Sequence, residues 1–226
     1  MGKSKAEITG VFKLITGYRL HIVRFLYPEA CNLKIEYMPF HKTDIPDLLI
    51  FEPKVFEDSR GYFFEAYNEQ AFRSEGIDLR FVQDNQSKSS YGVIRGLHYQ
   101  LNPHAQFKLV RVLQGAILDV AVDIRKGSPS FGKVFSINLS EENKKQLLIP
   151  AGFAHGFSVL SETAVVLYKC DAIYDKDSET GIRYNDPSLN IDWKIVPGKE
   201  IVSEKDAQQP LFEDCRNNFE FAANVK

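Results

Sequence analysis

Short apolar segments separated by turn residues constrain the fold of this chain more than any other feature. Between about residues 45 and 170, segments rich in Val, Ile, Leu, Phe and Tyr alternate with turns that contain Gly, Pro, Ser or Asn. These segments are LLIFEPKVF, GYFFEAY, KLVRVLQGAILDVAVDI, GKVFSINL, KQLLIP, GFSVL and AVVLYKCDAIY. So many short strands with so little helix predict an all-β protein, a β-sandwich or jelly roll with a few short helices.

Local patterns predict individual elements within this outline. The segment NEQAFRSEG predicts a short helix with Asn68 as its N-cap and Gly76 at its end, and SEKDAQQP predicts another with Ser203 as its N-cap. The segment ILDVAVDI alternates as a strand does. Its two predicted faces hold Leu118, Val120 and Val122 on one side, and Asp119, Ala121 and Asp123 on the other.

Composition and charge narrow the class of protein. A chain of 226 residues with 44% hydrophobic and 26% charged residues can bury a globular core. A net charge of -2 gives no general attraction for nucleic acid or anionic membranes, and no apolar segment is long enough to cross a bilayer. The three cysteines, Cys31, Cys170 and Cys215, are widely spaced and odd in number, which favours free thiols in the cytoplasm.

Two regions differ in character. Residues 1–37 mix basic and apolar residues without a clear period, whereas residues 38–226 read as one domain. Translation that begins at Met38 would make residues 1–37 an upstream extension, and the intact mass of the natively expressed protein tests this. The alternative is an extra helix or strand pair that packs on the domain.

Two histidines in the motifs VIRGLHYQ and IPAGFAHGF are the first candidates for chemistry. His98 lies in a predicted strand beside a small residue that leaves room for a ligand, and His155 lies in a tight loop between strands. For each, the alternative is a structural histidine bonded to backbone. Strand alternation places Gly96 and His98 on one face, and Arg95, Leu97 and Tyr99 on the other.

Histidines in a jelly roll also raise the question of a metal. Metal-binding cupins use a His-x-His pair with a carboxylate and a later histidine, but here Gln100 stands two residues after His98. His104 follows in a polar loop, where strand spacing would not direct it inward. The sequence therefore predicts no metal site.

Several polar side chains in the same segments are weaker candidates. Taken singly, each is explained as well by an exposed charge on a strand. They are Arg60, Glu65, Gln83, Asp84, Asn85, Lys108 and Asp119. The chain lacks the glycine-rich nucleotide loops and the G-x-S-x-G elbow, which disfavours triphosphate hydrolysis, dinucleotide redox chemistry and serine hydrolysis.

Taken together, six motifs resemble a known family. In order they are FEPKVFEDSRGYFFEAYN, FVQDNQSKSSYGVIRGLHYQ, KLVRVLQGAILDVAVDIRKGSPSFG, LSEENKKQLLIPAGFAHGFSVLSE, LYKCDAIY and SEKDAQQPL. Over about residues 39–214 the chain closely resembles the dTDP-4-dehydrorhamnose 3,5-epimerases of the RmlC type. The resemblance implies a cupin-like jelly roll, a homodimer, no metal or cofactor, and a dTDP-4-keto-6-deoxyhexose as substrate in dTDP-L-rhamnose synthesis.

The resemblance also implies roles for residues that match the family's motifs. His98 matches the catalytic base, Asp206 the carboxylate that orients it, Tyr168 the proton donor and Lys108 the cation near the keto oxygen. The matching ligand-binding positions are Arg60, Glu65, Gln83, Asn85, Arg95, His155, Glu179 and Lys205, with Asp119 in the pocket wall and Tyr174 stacking on base or sugar. Phe107, where the family often has glycine, and Ile173, where many relatives have an aromatic residue, depart from the pattern.

These residue types suit the implied reaction. A ketone at C4 acidifies the hydrogens at C3 and C5, so the enzyme needs a base, a cation for the enolate oxygen and an acid on the other face. The unperturbed pKa of histidine, about 6.5, makes it an effective base, and a carboxylate fixes its tautomer. Alternatives are an epimerase of one centre, a sugar ketoisomerase, a cupin that only binds sugar nucleotide, and a metal-dependent dioxygenase.

Overall fold

The computed structural model describes residues 40–222, so the expectations about residues 1–37, Met38 and Cys31 lie outside the described residues. Strands dominate this part of the chain, with two short helices and a 3₁₀ turn at Phe212–Asp214. The strands are β1 Phe40–Lys42, β2 Leu49–Phe51, β3 Phe56–Asp58, β4 Gly61–Phe63, β5 Gln83–Ser90, β6 Val93–Gln100, β7 Lys108–Gln114, β8 Ala116–Asp123, β9 Val134–Ser140, β10 Gln146–Ile149, β11 Phe153–Val159, β12 Thr163–Cys170, β13 Glu179–Gly181 and β14 Ile201–Val202. None of the described helices is long and apolar enough to span a membrane.

Two antiparallel sheets form the domain. The first has the strand order β1-β2-β10-β7-β12-β5, and the second has the order β13-β6-β11-β8-β9, with β14 added in parallel to β6. The buried core shared by the two sheets contains aliphatic and aromatic side chains such as Val110, Ile117, Ala121, Phe157 and Val166. Two facing sheets with non-sequential neighbours confirm the predicted all-β, cupin-like jelly roll.

The C-terminal part of the chain covers the outer face of the second sheet. Ile182, Leu189 and Trp193 pack there against Val120 and Val122 of β8. The predicted alternation in β8 is confirmed, because its valines enter this outer cluster while Ala121 enters the core between the sheets. Both faces of β8 are therefore buried, and the carboxylates on this strand lie in the interior.

Both predicted helices are confirmed with their caps. Helix α1 (Glu69–Ser74) begins after Asn68, whose side chain accepts hydrogen bonds from the backbone N–H groups of Gln70 and Ala71. Helix α2 (Glu204–Ala207) begins after Ser203, whose hydroxyl accepts from the N–H of Asp206. These side chains satisfy backbone donors that the first turn of a helix leaves unpaired.

The long edge strand β5 was not among the segments predicted as strands. Strand β5 has the polar sequence QDNQSKSS, which contains few residues that favour strands. It nevertheless pairs with β12 along all eight positions, from Gln83 opposite Cys170 to Ser90 opposite Thr163. Tertiary pairing therefore overrides a weak local preference at this edge.

A hairpin of β3 and β4 lies outside both sheets. Its two strands pair only with each other, and its aromatic side chains are exposed. Phe56, Tyr62 and Phe63 have exposed fractions of 39%, 58% and 40%. The hairpin thus has three partly exposed aromatic side chains.

Candidate active site

A cleft of about 100 Å³ is lined by side chains from both sheets. The first sheet contributes residues of β5, β7 and β12, and the second contributes residues of β6 and β13. The lining residues are Gln83, Asn85, His98, Tyr99, Gln100, Gln106, Lys108, Tyr168, Tyr174 and Glu179. Seven of the positions predicted from the sequence meet here.

His98 is hydrogen-bonded to a buried carboxylate. Strand β6 places the imidazole at the cleft, and α2 places Asp206 behind it, with 2.7 Å between His98 Nε2 and Asp206 Oδ1. The other oxygen of Asp206 accepts from the backbone N–H of Gly96 at 3.2 Å. Burial alone would raise the pKa of Asp206, but the hydrogen bond and charge of His98 and the Gly96 N–H outweigh it and hold the pKa below its ordinary value.

A close contact between two glycines determines how β6 presents its side chains. Gly96 has φ of +120°, and a Cβ there would lie 2.6 Å from Gly156 Cα on the neighbouring strand β11. The pairing shifts register at this point, with His155 opposite His98 but Phe157 opposite Arg95. A β-bulge of this kind changes which face the following residues occupy.

Because of this register shift, the side chain of Arg95 lies on a different face of β6 from the one predicted. Leu97 packs in the outer cluster with Tyr99, as the alternation predicted. Arg95 does not share that face: its Nε donates to Ser89 Oγ, on strand β5 of the first sheet, at 3.1 Å. The prediction was wrong because simple alternation assumes an unbroken strand.

Lys108 and Tyr168 come from the first sheet, opposite the strand that carries His98. Their strands are neighbours, and Lys108 Nζ lies 5.9 Å from the centre of the Tyr168 ring. Among the described residues, neither the Lys108 ammonium nor the Tyr168 hydroxyl has a hydrogen-bond partner, so both polar ends are available at the cleft.

Burial shifts the pKa of both groups. It lowers the pKa of Lys108, and the nearby Cys170, Asp119 and Glu179 offset only part of this effect. Burial also raises the pKa of Tyr168, which keeps its phenol protonated. The two shifts keep the Tyr168 phenol neutral and let the Lys108 ammonium lose its proton at a lower pH than an ordinary lysine does.

A polar cluster of Tyr174, Glu179 and Lys205 borders the cleft. Glu179 Oε2 accepts hydrogen bonds from Tyr174 OH at 2.8 Å and from Lys205 Nζ at 2.5 Å. Burial acts to raise the pKa of Glu179, but these two donors outweigh it and lower the pKa. Gln83 and Asn85 lie alongside, with Gln83 Nε2 donating to Asn85 Oδ1 at 3.0 Å.

A second histidine–carboxylate pair lies deeper in the protein. His155 Nε2 and Asp119 Oδ1 are 2.7 Å apart, and both residues are buried. The other oxygen of Asp119 is buried without a hydrogen-bond partner in the described part of the chain. His155 pairs with His98 across β6 and β11, but it is not among the residues that line the cleft.

Arg60 and Glu65 lie apart from the cleft lining. Arg60 is on the turn of the exposed β3–β4 hairpin and pairs with Asp58. Glu65 follows the hairpin, and its carboxylate accepts from Asn68 Nδ2 at 3.4 Å. Within this chain the structure does not bring these two residues to His98.

The sequence analysis missed two glutamines that the structure places at the cleft. Gln100 stands two residues after His98 on β6, and strand alternation could have placed it on the same face. Gln106 lies in the loop before β7 and offered no such signal. In residues 40–222, no group of three His, Cys, Asp or Glu side chains has an arrangement that could hold a metal ion.

Comparisons with known proteins agree with one another. The family model for dTDP-4-dehydrorhamnose 3,5-epimerase matches residues 42–214. A dTDP-4-dehydrorhamnose 3,5-epimerase of Shigella flexneri is 55% identical over 175 residues, which cover 77% of this chain and 96% of that protein.

Two solved structures extend the likeness to the fold. The dTDP-4-dehydrorhamnose 3,5-epimerase of Elizabethkingia anophelis is 56% identical with a TM-score of 0.76, and the match covers 79% of this chain and 98% of that one. The Legionella pneumophila enzyme, solved with dTDP-4-keto-L-rhamnose, is 46% identical with a TM-score of 0.78, and the match covers 82% and 99%.

Proposed function

Because this chain belongs to the dTDP-4-dehydrorhamnose 3,5-epimerase family, we propose that it performs the family's reaction with His98, Asp206, Lys108 and Tyr168. It is an isomerase that converts dTDP-4-dehydro-6-deoxy-D-glucose to dTDP-4-dehydro-L-rhamnose by inverting C3 and C5. One observation supports this assignment of residues above all. His98 of the second sheet, hydrogen-bonded to Asp206 of α2, lines the same cleft as Lys108 and Tyr168 of the first sheet.

His98 is the proposed base for both carbons. The C4 ketone acidifies the neighbouring C–H bonds, and the imidazole removes one of these protons to leave an enolate. The imidazolium that forms is stabilised by Asp206, which is buried and charged at 2.7 Å. The hydrogen bond also fixes the orientation of the ring, as a carboxylate does for histidine in hydrolases.

Lys108 and Tyr168 complete the proposed chemistry on the opposite wall. The ammonium of Lys108 stabilises the negative charge that develops on O4, and within residues 40–222 it has no hydrogen-bond partner that would compete with this oxygen. The phenol of Tyr168, whose pKa burial raises, stays protonated until an enolate approaches. It then returns a proton to the face opposite His98, which inverts the carbon.

The polar cluster of Tyr174, Glu179 and Lys205 suits the nucleotide. Tyr174 is 49% exposed there and offers an aromatic face to the base or sugar. Lys205 and Arg95 supply local positive charge for the diphosphate, although the whole chain is mildly acidic. Gln83, Asn85 and Glu179 provide the remaining polar contacts.

Proton exchange tests the function directly. The protein is incubated with dTDP-4-keto-6-deoxyglucose in D₂O, and NMR follows the label in the sugar. We expect deuterium at both C3 and C5. Label at only one of these carbons would support the alternative, a single-centre epimerase of a related dTDP-4-keto-6-deoxy sugar. Exchange that persists in His98→Ala would remove the assignment of the base.

A homodimer would explain the position of Arg60 and Glu65. These residues lie on and beside the exposed β3–β4 hairpin, away from the cleft of their own chain. We propose that the β3–β4 hairpin, within residues 45–70, reaches the cleft of a second copy, where Arg60 would meet the diphosphate. Light scattering that gives a fully active monomer at low concentration would contradict this.

We infer a cytoplasmic location from the biosynthetic family and the free thiols of Cys170 and Cys215.

A further inference from the structure

Glutamine side chains hold the backbone of the segment that carries Tyr174. This segment, residues 171–175, follows β12 and forms one border of the cleft. Gln83 Oε1 accepts from the backbone N–H of Tyr174 at 2.9 Å, and Gln106 Nε2 donates to the carbonyl oxygen of Ala172 at 2.8 Å. Gln83 lies in β5 and Gln106 just before β7. A third glutamine, Gln100 at the end of β6, also bonds to this segment.

Gln100 makes the most complete set of these contacts. Its side-chain oxygen accepts from the N–H of Asp175 at 2.8 Å, and its nitrogen donates to the carbonyl oxygens of His104 at 2.6 Å and Ile173 at 3.4 Å. The residue is only 4% exposed. Both N–H groups and the oxygen of the amide are therefore used to join the loop after β6 to the Tyr174 segment.

Tyr174 itself has little packing to fix its position. Its side chain is 49% exposed, and its hydroxyl bonds to Glu179, which also binds Lys205. The backbone contacts of the segment and the hydrogen bond to Glu179 therefore fix the position of the ring. A segment that is fixed before binding loses less conformational entropy when the ligand arrives, which strengthens binding without changing the chemistry.

We propose that Gln100 and Gln106 are positioning residues that fix the Tyr174 segment for the nucleotide end of the substrate. This rests on the proposed function, in which Tyr174 contacts the nucleotide. Neither glutamine acts on the reacting carbons in this account. Their loss should weaken nucleotide binding and leave proton transfer by His98 and Tyr168 largely unchanged.

The test uses the full chain with Gln100→Met and Gln106→Met, which keep side-chain length and remove the amide. Calorimetry with dTDP gives the affinity, and NMR assays with dTDP-4-keto-6-deoxyglucose give KM and kcat. For Gln100→Met we expect the Kd of dTDP and the KM each to rise about tenfold, with kcat within about twofold of wild type. For Gln106→Met we expect a smaller rise in the Kd of dTDP and in KM. Gln106 is only half-buried, so this variant provides the test if Gln100→Met does not fold.

Gln146 provides a matched control. It is 1% exposed on β10 and donates to the carbonyl oxygen of Ala66 at 2.9 Å, but it does not line the cleft. Gln146→Met should lose stability without a change in dTDP affinity. An equal loss of dTDP affinity in this control, or wild-type affinity in both folded cleft variants, would overturn the proposal.

A double-mutant cycle with Tyr174→Ala tests whether the glutamine acts through the tyrosine. If it does, Gln100→Met should add little to the Kd of a protein that already lacks the ring, so the two changes will not be additive. Full additivity would contradict the proposal. Wild-type protein that binds dTDP but fails to epimerise the sugar would instead disprove the proposed function, so the two failures are distinguishable.

Discussion

At the scale of single residues, the carboxylate of Asp206 is buried beside the cleft and yet has a lowered pKa. Asp206 is 4% exposed, and such burial favours a neutral acid. The His98 ring and the Gly96 N–H reverse this preference and lower its pKa. The protein therefore places a negative charge directly behind the proposed base. This charge would stabilise the imidazolium formed when the base removes a proton.

Asp206→Asn removes this charge and keeps the size of the side chain. We expect kcat to fall by roughly 10²-fold or more, because the imidazolium loses its partner and the ring its preferred tautomer. Rates of deuterium entry at C3 and C5 measure the effect. Ser203→Ala, which removes the N-cap of α2 but keeps the carboxylate, is the control and should cost about 1 kcal/mol of stability. A kcat above half of wild type in Asp206→Asn would contradict the role.

The lowered pKa of Lys108 predicts an early decline of activity at alkaline pH. The ammonium is charged below its folded-state pKa and is lost as pH rises through that value, which lies under that of an ordinary lysine. Tyr168 does not set this limit, because its pKa is raised and its phenol remains protonated at higher pH. A profile of kcat against pH measures the decline.

Lys108→Arg separates these two groups. A guanidinium stays charged throughout the accessible range, so the alkaline decline should move to higher pH even if kcat is reduced. Tyr168→Phe lacks the proposed proton donor and should lose activity at every pH. An unchanged alkaline limb in Lys108→Arg would assign the decline to another group.

At the scale of secondary-structure elements, the contact between β6 and β11 shapes the site. Gly96 and Gly156 approach so closely that a side chain on either would meet backbone of the other strand. This contact accompanies the register shift that brings both Arg95 and His98 toward the first sheet. The wall of the cleft that carries His98 therefore depends on the close approach of Gly96 and Gly156.

Gly96→Ala should both destabilise the protein and reduce kcat. The new Cβ would lie 2.6 Å from Gly156 Cα and 2.7 Å from the carbonyl oxygen of His155, at a φ of +120°. Overpacking and backbone strain together should cost about 3–5 kcal/mol of unfolding free energy. Urea unfolding measures this value.

Gly61→Ala is the matched control for backbone strain alone. Gly61 has a similar φ of +127°, but a Cβ there meets nothing within 4 Å. We expect it to cost only about 1–2 kcal/mol. Equal costs at the two positions would show that the contact between strands contributes nothing beyond the φ angle.

At the scale of the whole molecule, Arg125 joins distant parts of the described chain. Its guanidinium binds Asp123, the last residue of β8, and reaches Asp47 and the carbonyl oxygen of Pro46 in the segment between β1 and β2. Its planar group also lies 4.8 Å from the ring centre of Phe221 near the C-terminal end of the described residues. A single buried cation thus links segments near both ends of the described residues to the end of β8.

Arg125→Met should destabilise the domain strongly. The substitution leaves Asp123, which is fully buried, without its charged partner, and breaking a buried pair in this way costs about 3–5 kcal/mol. Thermal or urea unfolding measures the loss. Lys194→Met, which breaks the exposed pair with Asp192, is the control and should leave the midpoint unchanged. Similar midpoints for the two variants would mean that the buried network does not stabilise the domain.

Patterns between near neighbours were enough to predict much of this molecule. The sequence alone predicted the all-β jelly roll, both capped helices, the two faces of β8 and the epimerase family. These features depend on residues within a few positions of each other, since side-chain period and helix caps are local properties. The family resemblance rests on motifs that are likewise short segments of the chain.

Only the tertiary structure decided how distant segments meet at the cleft. His98 and Asp206 are 108 positions apart and form one pair, and Gln100 reaches Asp175 across 75 positions. The same holds for the face of Arg95, which depends on the contact between Gly96 and Gly156. Local periodicity carries no information about such contacts, because they arise from the packing of strands that the chain reaches only after a long loop or a crossover.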